Sequence, residues 1–160
     1  MDLSARSHDR QLPRARLLVC EKNGDWAVGL QNLAGDGGPR VWQVRSPADC
    51  LDELRKSPAS VVAVEATSGN LGAVAGLLCR VAREFRAART IILAARGLED
   101  HQWWLREAGA VHVVFSVRGL EAVLRVARRH LAAAGAAEPA PLGEFPLHLP
   151  AAWERFTPAS

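Results

Sequence analysis

The chain has 160 residues, of which 49% are hydrophobic and 23% charged, and this is the size and composition of one ordinary globular domain. Its 20 basic and 17 acidic residues give a formal net charge of +3, which is too mild a balance to indicate a nucleic-acid partner. No apolar run reaches the roughly 18 residues of a membrane span, and the polar N-terminus lacks the apolar segment of a secretion signal. We therefore expect a cytoplasmic protein without membrane contact, in which nucleic-acid binding is not the role.

The cysteines and histidines give no sign of a metal site. Cys20, Cys50 and Cys79 lie in apolar stretches without CxxC pairing, and the five histidines show no HxH or HExxH spacing. These patterns argue against a zinc site or a disulfide framework. We expect three reduced, buried thiols, no metal ion and no cofactor.

Short β-branched or apolar runs alternate with helical patterns along the chain, which is typical of a parallel sheet covered by helices on both faces. Five runs have the length and composition of strands. They cover residues 16–20, 41–44, 61–64, 90–93 and 111–115. The second run is the most polar and is the expected edge strand.

Capping residues and apolar spacing predict the helices between these runs. Ser46, Pro47 and Asp49 supply a capping hydroxyl, a proline at the first helical position and an acid in the first turn, so a helix should cover 47–56. Apolar residues at steps of three and four predict one helix over about 70–88 and another after the fifth strand. They are Leu71, Val74, Leu78, Val81 and Phe85, and then Leu120, Val123, Leu124, Ala127 and Leu131.

The predicted fold class is therefore α/β, with a doubly wound five-stranded parallel sheet of flavodoxin-like order 2-1-3-4-5 in a three-layer α/β/α sandwich. The domain should cover residues 14–134. A polar, arginine-bearing segment, 1–13, precedes it, and a tail rich in proline and alanine, 135–160, follows. In this fold, a reactive site belongs outside the carboxyl ends of the strands.

The residues at the predicted strand ends are Cys20-Glu21-Lys22, Glu65-Ala66-Thr67, Ala94-Ala95-Arg96 and Ser116-Val117. In the spacing of its strands, the chain resembles the CheY-like receiver domain of bacterial response regulators. Local stretches carry the resemblance as well as the strand spacing: LAARGLED and then REAGA resemble the family's fourth strand and helix, and RGLEAVLRVARRHL resembles its last helix.

The resemblance implies a phosphoryl-accepting site, and the residues at its positions depart from the family's pattern. A receiver holds Mg²⁺ with two acids after strand one, where this chain has Cys20 and Glu21, and Mg²⁺ requires hard oxygen ligands. The acceptor aspartate is replaced by Glu65, the hydroxyl residue by Ala94 and the phosphoryl-binding lysine by Ser116. Two further positions, the proline after that lysine and the aromatic residue of the fifth strand, are Val117 and Val113.

These replacements predict a degenerate pseudo-receiver without enzymatic activity, in which Cys20, Glu21, Glu65, Ala94 and Ser116 line a vestigial acceptor pocket and Glu21 is a vestigial metal ligand. Glu65 is expected to be a solvated carboxylate, paired with Lys22. Two alternatives stay open: an atypical response regulator phosphorylated on Glu65, and a flavodoxin-like domain that binds a nucleotide or another small ligand. Neither GxGxxG nor GxxxxGK is present to support nucleotide binding.

The resemblance also implies a role in signal transduction or assembly, through the surface of the fourth helix, fifth strand and fifth helix. Trp103 should point outward beside Arg106, because Trp104 is expected to share a face with His101, Leu105 and Ala108. Arg125 and Arg129 are expected on the exposed side of the last helix. Trp153 and Phe156 of the tail are large apolar side chains that need a cover. The expected partner is another protein or a second copy of the chain, while Trp26, Leu30 and Leu33 should belong to the core.

Overall fold

The structure of the chain is a computed structural model, and it describes residues 14–136. The strands within this part are β1 (Leu17–Cys20), β2 (Val41–Val44), β3 (Val61–Ala66), β4 (Arg89–Ala94) and β5 (Ala110–Val114). The helices are α1 (Asp25–Ala34), α2 (Pro47–Lys56), α3 (Leu71–Glu84), α4 (Gln102–Glu107) and α5 (Leu120–Ala136). Single 3₁₀ turns, Glu99–His101 and Val117–Gly119, precede α4 and α5.

The five strands form one parallel sheet of order β2-β1-β3-β4-β5, which confirms the predicted fold class. Each of the five predicted strands is present, and β2 has the predicted bounds. The inner strands β1, β3 and β4 are almost continuously buried, as is usual for strands covered by helices on both faces. Trp42 and Gln43 on β2 are exposed, as expected of an edge strand.

The core consists of two apolar layers, one on each face of the sheet. On one face, α1 and α5 pack on β1, β3 and β4 through residues such as Leu30 and Val123. On the other face, α2, α3 and α4 pack through residues such as Leu54, Leu78 and Leu105. Since each layer excludes water from its side of the sheet, burial of apolar area is the main stabilising contribution of both.

Local sequence explains where the helices begin and end. The Ser46 hydroxyl accepts a hydrogen bond from the Asp49 amide at 3.1 Å, and Pro47 occupies the first turn, so α2 has the predicted bounds. α3 ends at Glu84, earlier than its predicted end, because Phe85 leaves helical geometry to turn the chain into β4. Gly109 has a φ of 119° immediately before β5, a conformation that favours glycine.

Several side chains differ from the sequence-based expectations. Cys79 is exposed, because it lies one position beyond the buried Leu78 and so points about 100° away from it around the helix. Leu33 lies at the border of the buried face of α1 and is 44% exposed. Trp26 is partly buried and packs against the margin of the core.

The fourth helix also corrects an expectation. Its six residues bury only Leu105, so His101 and Trp104, which we expected on the same buried face, are both exposed. A helix of one and a half turns does not offer a buried stripe long enough for them. Within residues 14–136, no helix is long and apolar enough to cross a membrane.

Candidate functional site at the strand ends

The carboxyl ends of the central strands lie side by side at one edge of the sheet. Cys20 pairs in register with Val64, so Glu21 and Glu65 follow at the same level of the sheet. Ala66 pairs with Ala94 on β4. The parallel fold therefore brings together the strand-end residues that the sequence nominates, and their side chains decide what chemistry the site can perform.

The Glu21 side chain caps the N-terminus of helix α1. This side chain is buried, with the residue only 3% exposed. One carboxylate oxygen, Oε2, accepts a hydrogen bond from the Trp26 amide at 2.9 Å, and the other, Oε1, accepts one from the Ala27 amide at 2.7 Å. Gly24, at the N-cap position, has no side chain to bond these amides. The carboxylate therefore acts as a remote cap, and its negative charge lies at the positive end of the helix.

Cys20 supplies a protonated thiol where a receiver has a carboxylate. Burial is the largest cause that raises its pKa to about 11, and the negative charges of Asp49, Glu65 and Glu21 add to the effect. Burial also raises the pKa of Cys50 on α2 to about 12, with further contributions from Cys20 and Asp49. A protonated sulfur in an apolar layer is a poor ligand for Mg²⁺.

Glu65 is the acceptor-position carboxylate and is half-buried at the end of β3. Its Oε2 accepts a hydrogen bond from the backbone amide of Lys22 at 3.3 Å. Glu65 therefore contacts Lys22, as expected, but through the backbone amide of Lys22. None of the four ion pairs within residues 14–136 joins the two side chains. This single long contact leaves the carboxylate less constrained than that of Glu21.

Two residues that the sequence reasoning missed fix the loops around Glu65. Asn70 accepts a hydrogen bond from the Thr67 amide at 2.7 Å and donates one to the Glu65 carbonyl at 3.0 Å. Arg45 donates to the Lys22 carbonyl at 3.0 Å. The Thr-Ser-Gly-Asn order after β3 was the available signal, because asparagine side chains commonly bond the backbone of such turns.

The remaining positions bring few polar groups to the site. Ala94 is completely buried, Val113 is buried within β5, and Val117 is 68% exposed. Ser116 is exposed at the beginning of the turn before α5, and its side chain does not cap that turn. Among the five predicted pocket residues, only Glu65 has a carboxylate that is not already bonded to a helix terminus.

These donors do not fit the Mg²⁺ ion that a receiver would hold. The ion requires several hard oxygen ligands, but Cys20 contributes a protonated thiol and both oxygens of Glu21 accept backbone hydrogen bonds. In the part of the chain that the structure describes, three or more His, Cys, Asp or Glu side chains do not cluster as a metal site would require.

Known structures have the same strand order and helix arrangement. The signal receiver domain of a LuxO-type repressor protein from Vibrio parahaemolyticus is 18% identical with a TM-score of 0.60, and the match covers 77% of this chain and 94% of that one. A CheY-like protein (tadZ) from Pseudomonas aeruginosa is 17% identical with the same score, over 73% and 99%. A response regulator from Chloroflexus aurantiacus is 24% identical with a TM-score of 0.53, over 74% and 98%.

The described domain has the receiver fold. At sequence identities of 17–24%, the likeness to these structures is a likeness of fold. No family model matches the sequence, and no curated protein matches it. The receiver fold makes the strand ends comparable position by position with the phosphorylation site of response regulators.

The second surface on this receiver fold is formed by α4, β5 and α5, and we name it the α4–β5–α5 face. Trp103 is 72% exposed, as predicted, and Arg106, Val111 and Arg125 are exposed with it. Burial lowers the pKa of His112 on β5, and the charges of Arg106 and Arg125 lower it further. Arginines from both helices therefore act on one side chain of the strand between them.

The remaining predicted interface residues lie elsewhere. Arg129 is exposed, but it lines a groove between α5 and α1 together with Arg125 and Leu33. Arg125 thus belongs to both surfaces. Trp153 and Phe156 lie outside the described residues, so the expectation that they are covered stays a prediction.

Proposed function

We propose that residues 14–136 form a pseudo-receiver, a non-enzymatic domain that acts in signal transduction or assembly through protein contacts and not through phosphorylation. The observation that carries the proposal is the position of the Glu21 carboxylate. A receiver needs its acidic residues free to hold Mg²⁺, and both oxygens of Glu21 instead accept hydrogen bonds from the first amides of α1.

The other strand-end residues support this function. Phosphoryl transfer depends on positioned positive charge and hydrogen-bond donors around the transferred group. Ala94 and Val117 have apolar side chains, and the serine at position 116 has no charge with which to replace a lysine. A glutamate at position 65 also places its carboxylate one methylene farther from the backbone than an aspartate would, and a misplacement of about 1 Å can lower a rate on the order of 100-fold.

The α4–β5–α5 face supports the second half of the proposal, which is contact with a protein. Trp103 and Val111 expose apolar area to water, and Arg106 on α4, three residues after Trp103, is exposed as well. Exposed tryptophan beside arginine is the composition of interface anchors. The partner is a second copy of this chain or another protein, located with it in the cytoplasm.

Beryllofluoride tests whether the domain acts without phosphorylation, because this ion mimics a phosphoryl group on a receiver's acceptor carboxylate. A ligand at 100 times its Kd stabilises a fold by about 2.7 kcal/mol, which raises the Tm of a chain of this size by roughly 5–10 °C. We expect no such rise on addition of Mg²⁺ and beryllofluoride to the full chain. Glu65→Gln is the matched control, since it removes the charge at the acceptor position and keeps the shape.

A rise in Tm that Glu65→Gln abolishes would overturn the proposal in favour of an atypical regulator phosphorylated on Glu65. The half-buried and weakly bonded state of the Glu65 carboxylate is the observation that favours this alternative. Incubation with Mg²⁺ and acetyl phosphate, followed by intact-protein mass spectrometry, gives an independent readout. The pseudo-receiver should gain no phosphoryl group.

A further inference from the structure

Helices α1 and α5 lie on the same face of the sheet and enclose a groove, which we name the α1–α5 groove. Its volume is about 560 Å³, and its lining is Leu33, Glu121, Leu124, Arg125, Arg128 and Arg129. The two helices approach closely at Gly29, where an added Cβ would lie 3.0 Å from Leu120 Cδ1. One turn farther along α1, Leu33 lies at the groove and is 44% exposed.

The groove combines apolar area with positive charge. Three arginines and one glutamate line it, and none of the four ion pairs within residues 14–136 involves these arginines. Arg128 lies 3.5 Å from the Ala34 carbonyl at the end of α1. A ligand that fits the groove therefore carries negative charge beside large apolar side chains.

The segment that follows α5 has this chemistry. Residues 137–160 contain three glutamates and one arginine, so the segment is acidic, while the domain before it is basic. Its large apolar residues are Leu142, Phe145, Leu147, Leu149, Trp153 and Phe156. Leu147 and Leu149 alternate with Pro146, His148 and Pro150, so an extended conformation would place the two leucines on one side of the segment.

The length of the segment and its starting point also match the groove. From Arg125 to Ala136, α5 is about 17 Å long, at 1.5 Å per residue. Pro139 and Pro141 cannot continue a helix, and Gly143 has the conformational freedom that a reversal of the chain requires. An extended segment over 144–150 then covers roughly 23 Å, at about 3.3 Å per residue, which is enough to run back along the groove.

We propose that the C-terminal segment of this chain, residues 144–156, binds the α1–α5 groove of its own domain, with its glutamates on the arginines and its apolar side chains on Leu33. The contact is intramolecular, and a short linker gives it an effective concentration in the millimolar range. A modest intrinsic affinity is therefore sufficient. The proposal is independent of the phosphorylation chemistry, because it concerns a different surface.

Limited proteolysis of the full chain with chymotrypsin tests the proposal. The enzyme cleaves after Leu147, Trp153 and Phe156, whereas Pro146 and Pro150 protect the bonds after Phe145 and Leu149. If cleavage requires release from the groove, its rate follows the released fraction, and a tenfold weaker contact should give about tenfold faster cleavage. Intact mass spectrometry identifies each cut.

We expect Leu33→Asp and Arg129→Glu each to accelerate cleavage of the segment by about tenfold, with the Tm of the domain nearly unchanged. The single variant Glu144→Arg should also accelerate cleavage. The double variant that combines Glu144→Arg with Arg129→Glu should regain the protection of the wild type. Arg86→Glu is the control, because it makes the same charge change at an exposed position outside the groove.

Three results would overturn the proposal. The first is cleavage of the wild-type segment at the same rate as in Leu33→Asp. The second is protection that appears only at concentrations where sedimentation shows a dimer, since the groove would then bind the segment of a second copy. Equal acceleration by Arg86→Glu would also contradict it, because the effect would then be one of net charge alone.

Discussion

The strand-end site and the α4–β5–α5 face use their side chains in opposite ways. At the strand ends, the groups that remain are engaged in holding the backbone: Glu21 bonds the first amides of α1, and Asn70 bonds both sides of its turn. On the face, Trp103 and Val111 expose apolar area that the domain's own packing does not require. The difference shows that the polar strand-end residues are needed for the fold itself, whereas the exposed apolar side chains of the α4–β5–α5 face are not.

Two neighbours on α4 provide the strongest test of this contrast. Leu105 is fully buried, so Leu105→Ala should lower the free energy of unfolding by about 2–5 kcal/mol. Trp103→Ala should change it by less than about 0.5 kcal/mol, because the side chain is mostly in water. Urea denaturation measures both values.

The same pair separates stability from association. Trp103→Ala should weaken self-association or partner binding, measured by sedimentation and by capture on the immobilised domain. A large loss of stability in Trp103→Ala, with association unchanged, would remove Trp103 from the interface.

A second pair compares the two carboxylates at the strand ends. Glu21→Ala should lower the free energy of unfolding by about 2–4 kcal/mol, because two amides of α1 lose a charged acceptor. Glu65→Ala removes a single 3.3 Å contact from a half-buried side chain and should cost less than about 1 kcal/mol. Thermal and urea unfolding of both variants give the comparison. Equal, small losses would mean that Glu21 does not cap α1.

The smallest effect expected is on His112, which lies between the arginines of the face. Its pKa is lowered, chiefly by burial and then by Arg106 and Arg125, so the folded state takes up this proton less readily than the unfolded state. The neutral His112 ring therefore makes its full contribution to stability above about pH 6.5, the pKa of histidine in the unfolded chain. This contribution decreases as the pH falls below that value. His112→Gln should flatten this decrease between pH 7 and pH 5.

NMR titration of the His112 ring measures the cause directly. Arg106→Gln and Arg125→Gln should each raise the pKa of His112, whereas Arg86→Gln should leave it unchanged. A His112 pKa at or above 6.5 in the wild-type domain would contradict the proximity of the two arginines to β5.

The fold was predictable because its signals are local and repeated. Strand-length β-branched runs, the Ser46-Pro47 cap and the apolar spacing of α3 each indicate the element that forms there. The site was less predictable, because its outcome depends on where a side chain points. The sequence places Glu21 at a ligand position, but only the structure shows its oxygens on the α1 amides.

The wrong side-chain predictions have two physical causes. In α4 the apolar spacing around Trp104 favoured burial, yet six residues provide room for Leu105 alone. Cys79 and Leu33 each lie one position outside a buried stripe, a displacement that hydropathy does not resolve. Both causes affect residues at the surface, so the exposed side chains were harder to predict than the strands of the sheet.

Trp42 gives the outer strand β2 an additional property. The guanidinium carbon of Arg16 lies 4.5 Å from the centre of its ring, and that of Arg40 lies 6.0 Å from it. Arg16 is held there by an ion pair with Glu53 at 3.0 Å. A strand from another molecule that paired with β2 would have to approach these two positive charges, and charge on an edge strand opposes aggregation by strand addition. The arginines beside Trp42 therefore disfavour the addition of a further strand at β2.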